Sequence, residues 1–171
     1  PFQGKKLPNQ GVGGHLVSEA YAAMGVTVKY GYFPWSRAKH YVENNSKKWD
    51  ASSMWSKTEE HLKVFYMSDP FLDFRAVFFH LKSRNFEWET LADLKKVTIG
   101  LPQGYSMSDK LVLWEKEKKL NIYRTHDEEQ AFKMLLKERF DTTINDFIMG
   151  HSLLKERFPP EMAARITTHP K

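Results

Sequence analysis

The sequence predicts an α/β protein folded as two lobes, each a mixed or parallel sheet flanked by helices. Three observations predict it. Helical and strand periodicities alternate along the chain, and that alternation is the grammar of a parallel sheet. The pattern breaks at Ser83-Arg84-Asn85 and then restarts. Between the halves, the run Phe74 to Phe79 is apolar on both faces apart from Arg75, as in a strand covered on both sides. The stretch leading into it, from Ser52, holds Trp55, a charged turn and a Ser68-Asp69-Pro70 corner. A chain that leaves one unit along a buried strand and starts another implies a cleft, and ligand sites favour such interfaces. The expected divisions are a first lobe over 1–79, a hinge at 80–83, a second lobe over 84–165 and a second hinge crossing over 166–171.

The elements follow in order. Residues 1–14 are rich in Gly and Pro and read as a loop. Leu16, Val17, Ala20, Tyr21 and Met24 recur at helical spacing, and Gly25 is a natural stop. Val26, Val28 and Tyr30 alternate with polar residues and predict a strand. Pro34 suits the first turn of a helix carrying Trp35, Ala38, Tyr41 and Val42. A second short strand is expected over 50–54, and a turn or short helix over 57–63. Beyond the break, a short helix is expected over 90–95, a strand over 97–101 and an amphipathic helix over 107–119. A strand follows at 121–123, and Asp127 opens a helix through a capping box with Gln130. A strand is expected over 142–144 and a helix over 147–158, stopped by Pro159-Pro160. LLKERF occurs twice, at Leu135 and Leu153. Two copies do not make a repeat protein, and two similar helix ends account for them.

Composition narrows the function classes. With 171 residues, 41% hydrophobic and 14% aromatic, the chain can bury a real core. Its charge of +5 comes from basic residues scattered through amphipathic helices, not from the clustered footprint that nucleic-acid binding needs. There is no cysteine, so disulfides and thiol chemistry are excluded. No run of about 18 apolar residues is present to span a membrane. The chain opens at Pro1-Phe2 without methionine or a signal peptide and is expected to be a trimmed fragment.

Candidate chemistry is sparse. Gly104-Tyr105-Ser106 follows a predicted strand and opens a helix, where free N–H groups, the helix dipole and the Ser106 hydroxyl suit a carboxylate; Ser106 is equally read as an N-cap. Asp146 ends a predicted strand at the edge where parallel sheets bind ligands, and it too is read alternatively as an N-cap. Trp35 and Trp55 follow strands in the first half and suit an aromatic pocket wall or a cation site, or plain packing. The seven histidines show no metal spacing, and no P-loop, nucleophile elbow or cofactor motif is found. Neither catalysis nor a bound cofactor is expected.

Several local patterns, in order over nearly the whole chain, resemble the type II periplasmic binding proteins. The family concerned is extracellular solute-binding protein family 3, which serves polar amino-acid ABC transporters. The matching pieces are Pro1-Phe2, Asp50-Ala51-Ser52-Ser53, Thr58-Glu59-Glu60, Ser68-Asp69-Pro70-Phe71, Leu91 to Lys95, Ile99-Gly100, Gln103 to Ser106 and Asp141 to Asp146. The resemblance implies a periplasmic, monomeric protein that closes over a small polar solute and delivers it to a membrane permease, with both chain ends of the family fold missing. It implies that Ser106 helps hold a carboxylate and that Asp146 receives an ammonium group. In the Thr-x-x-Arg turn that would hold the carboxylate, His61 stands at the arginine's place, and Arg37 or Lys57 could substitute for it. Trp35, Ser53, Trp55 and Lys57 would form the first wall; Tyr105, Ser106 and Asp146 the second. The alternatives are the sensing domain of a signalling receptor and a dehydratase-like enzyme on the same fold.

Overall fold

Two units follow one another along the chain, residues 1–73 and 74–171. The structure is a computed structural model that describes residues 2–105 and 108–170, so the candidate Ser106 lies outside the described residues.

The second unit is built on one five-stranded sheet. Its strands are β1 (Ala76–Leu81), β2 (Thr98–Pro102), β3 (Asn121–Thr125), β4 (Thr142–Asp146) and β5 (Ile166–Thr168), in spatial order β3-β2-β4-β1-β5. β2 runs parallel to β3 and β4, whereas β1 runs antiparallel to β4 and β5, so the sheet is mixed. The sequence places the strand at 74–79 as the end of the first lobe. It lies two residues later and pairs wholly within the second unit's sheet, because its partners come from the C-terminal half. β5 falls in the segment read as a second hinge crossing; three residues are too few to show an alternating pattern, and pairing with β1 defines them.

Helices cover the sheet as the period-2 rule requires. Val77, Phe79 and Leu81 point to one face and pack with Phe132 and Leu135 of α5 (Glu128–Leu136) and Leu154 of α6 (Phe147–Arg157). Phe78 and Ile144 point to the other, against Phe86, Leu94, Ile99, Leu101 and Leu120. Trp114 of α4 (Asp109–Lys116) packs at that cluster's margin. A β-branched run, Thr142-Thr143-Ile144, favours the central strand. Its buried hydroxyls are satisfied, Thr142 donating to the Phe79 carbonyl (2.9 Å) and Thr143 to that of Gly100 (2.8 Å). A Cβ on Gly100 would overlap the Phe140 ring, and one on Gly150 the Phe79 ring, so glycine lets these rings lie directly on backbone. The double proline stops α6 as expected, and Pro160 then opens the short α7 (Pro160–Ala163).

The capping box at α5 forms. Asp127 accepts from the Gln130 N–H (2.7 Å), and the Gln130 side chain accepts from the His126 N–H (2.6 Å). Burial pushes the Asp127 carboxyl up, but the Gln130 N–H, His126 and Lys133 outweigh it and hold the group below the usual carboxylate range. A carboxylate lowered on folding contributes stability above its unfolded titration range and loses it as pH falls through its folded one. Asp127→Ala is therefore expected to cost about 1 kcal/mol at neutral pH. That difference should shrink below about pH 4, as urea midpoints for both proteins at pH 7 and pH 3 would show.

The first unit is helical and irregular. It holds a 3-10 turn (Pro8–Gln10), α1 (Val12–Ala22), α2 (Trp35–Glu43) and α3 (Glu59–Leu62), with no strand among its described residues. The strands expected at 26–30 and 50–54 are not formed. Alternation supplies no partner edge, and the side chains of the first segment go elsewhere: Tyr30 donates to the Gly14 carbonyl (2.7 Å), and Tyr32 to Gln10 (2.6 Å). In the second, Met54 adopts φ 69°, which no straight strand tolerates. The glycines at 13 and 14, expected in a loop, enter the start of α1, and Gly11 precedes it as the N-cap. The reason is close approach, since a Cβ on Gly13 would strike Met54.

Candidate functional site

The candidate residues of the first unit gather around the turn into α3. Thr58 caps that helix, accepting from the His61 N–H (3.2 Å), and so fixes where His61 begins. The imidazole is 5% exposed. Its Nδ1 lies 2.8 Å from the Ser56 carbonyl oxygen. A carbonyl oxygen can only accept, so Nδ1 carries the proton. Trp55 stands edge-to-face with His61 (5.4 Å between ring centroids) and with Trp35 at the start of α2 (5.1 Å). Phe65 also meets His61 edge-to-face (6.1 Å). The left-handed Met54 turns the chain immediately before Trp55, whose indole N–H donates to Ser52 (2.8 Å).

Trp35, Trp55 and His61 are thus brought together. Ser53 instead accepts from Gln3 (3.0 Å), while Arg37 and Lys57 are exposed. At the edge of the cluster, Lys39 pairs with Glu60 at 3.0 Å. Phe65 and Lys39 were not singled out from sequence. The signal for Phe65 was present: it stands four residues after His61, the spacing that aligns side chains across a helical turn.

In the second unit, Tyr105 follows β2 after a turn in which Gly104 takes φ 75°. Burial, then the carboxylates of Glu128 and Asp146, push its phenol above the usual tyrosine range, so it stays a neutral hydroxyl. Asp146 is 6% exposed at the end of β4. One oxygen accepts from the N–H groups of Ile148 and Met149 (both 2.9 Å) and caps α6. The other accepts from the Arg75 N–H (3.0 Å) and keeps one lone pair beyond that bond. Beside it, the Arg75 guanidinium lies over the Phe147 ring (5.6 Å), and Phe147 packs edge-on to His151 (4.6 Å). Arg75 and Phe147 are further residues that periodicity did not mark, because each reads as an ordinary strand or helix start.

Similar solved structures share this architecture. An ancestral arginine-binding protein bound to arginine superposes with a TM-score of 0.73 at 19% identity, over 98% of this chain and 73% of that one. The fold is that of the periplasmic binding proteins. The holo form of the arginine-binding protein ArgBP from T. maritima gives 0.70 at 22% identity, over 92% of this chain and 66% of that one. A histidine kinase sensor domain with similarity to periplasmic binding proteins gives 0.71 at 17% identity, over 92% and 65%. The chain therefore spans about two thirds to three quarters of these periplasmic-binding-protein-like structures. No family model and no curated protein matches the sequence.

Among the described residues, no group of three potential metal ligands comes together, and no helix is long and apolar enough to cross a membrane. What the two sets of residues offer is recognition chemistry: aromatic rings with one oriented imidazole, and a neutral phenol beside a carboxylate.

Proposed function

We propose that this chain is a solute-binding module of extracellular solute-binding family 3, capturing a small, amine-bearing, amino-acid-like ligand. In this reading it works as a periplasmic monomer that delivers its ligand to an ABC transporter permease, binding without turnover. The observation that carries the reading is the Trp35, Trp55 and His61 cluster, found in a fold shared with proteins solved bound to arginine. Indole faces attract cations. Asp146, with an acceptor position left over from capping, is proposed to receive the ligand's ammonium group in the second unit. Tyr105 supplies a hydroxyl there.

Tryptophan emission is the natural reporter. Titration with arginine, other amino acids and polyamines should shift it for at least one of them. Trp55→Ala should weaken that ligand about tenfold, in line with a desolvated cation–π contact. If no compound in the set changes emission or gives heat on mixing, the reading is overturned. A second reading is favoured by the likeness to the kinase sensor domain: the same capture would then signal instead of feed a transporter. Ligand-dependent phosphorylation in the intact host protein would select it, and ligand-dependent stimulation of a permease's ATPase would select the first.

A further inference from the structure

Resting on the ligand-binding reading, we propose that the first unit recognises a cationic group through His61 as a hydrogen-bond acceptor and does not require an α-carboxylate. The ligand class is then a guanidinium or primary-amine cation, decarboxylated bases included.

The argument begins with the tautomer. The Ser56 carbonyl holds the proton on Nδ1, and the backbone N–H of His61 is engaged by Thr58. In the neutral ring this leaves Nε2 with an unshared pair, and the hydrogen bonds of His61 among the described residues do not use it. The groups that surround the imidazole add to the same preference. Trp55 and Phe65 each meet it edge-to-face, and Trp35 meets Trp55 in the same way; the faces of such rings are negative and attract cations. A carboxylate would find no forked donor in this cluster. Lys39, the cation at its edge, is taken up by Glu60, and Arg37 and Lys57 stand exposed. An anion is best held by a planar guanidinium offering two parallel N–H groups. One imidazole with its donor already spent on a carbonyl offers the opposite.

Agmatine and arginine separate the possibilities, because they share the guanidinium and differ in the carboxylate. Calorimetry on the wild-type protein should find agmatine bound at least as tightly as arginine. His61→Gln, which can still present an acceptor, should retain agmatine binding. His61→Arg should weaken agmatine and arginine alike, by about tenfold or more, by setting a cation against the guanidinium they share. Should arginine bind while agmatine is about tenfold weaker, the inference fails and the ligand-binding reading stands. Should His61→Gln bind agmatine no better than His61→Arg, with both folded by circular dichroism, the acceptor role fails. Should neither compound nor any other amine bind the folded wild type, both readings fall.

Discussion

Replacing Phe79 with alanine is expected to destabilise the second unit by about 4 kcal/mol. The ring is wholly inaccessible to water in the middle of β1. It meets Phe132 of α5 edge-to-face at 5.2 Å and His151 of α6 at 5.3 Å, and it covers the bare backbone at Gly150. Three elements therefore lose their common contact at once. β1 is held by strands on both sides, so collapse into the vacated space is restricted and the cavity persists. Phe79→Leu keeps most of the volume and should cost less than half as much. Urea denaturation of the two variants would measure the difference. Near-equal losses would mean that the site collapses freely and that the rigid arrangement around Gly150 has been misjudged.

Asp146→Ala should cost about 3 kcal/mol, combining the lost cap of α6 with an unsatisfied N–H at Arg75. The neighbourhood makes that cost hard to avoid, since the carboxylate is 6% exposed and serves three backbone donors. Asp146→Asn is the informative partner. Its amide oxygen can still cap Ile148 and Met149, so only the Arg75 bond and the charge are lost. Its stability should fall by about 1–2 kcal/mol, less than in the alanine variant, because the Arg75 N–H then faces an amide donor. If Asp146 also receives an ammonium group, this variant should lose affinity for amine ligands by about tenfold or more. Affinity unchanged in Asp146→Asn would reduce the residue to a cap and remove it from the proposed site.

The sheet of the second unit was largely legible because its strands carry their own signals. The largely apolar β1, the β-branched β4 and the Asp127–Gln130 cap each follow from local chemistry that the rest of the structure reinforces. The first unit was less legible. Val26, Val28 and Tyr30 announce alternation, but a strand is a relation between two segments, and the Tyr30 and Tyr32 hydroxyls anchor this one to the region of α1. The helix at Gly13-Gly14 was hidden because glycine disfavours helices by propensity, while the close approach of Met54 to Gly13 and of Gln10 to Gly14 is what calls for it. At the candidate site, the tryptophans and His61 were visible as residue types. Their convergence depends on the left-handed Met54 and the Thr58 cap, and neither turn geometry nor tautomer can be read from spacing.

The pairing of β1 with β5 has a kinetic consequence. Phe79 meets Thr168, and Val77 meets Asn145, so β1 finds its neighbours only among residues made long after it. Such remote pairings close large loops before they return any stabilisation, which slows folding relative to a chain of local contacts. During synthesis, β1 stays with its edges unpaired until β4 and β5 have emerged.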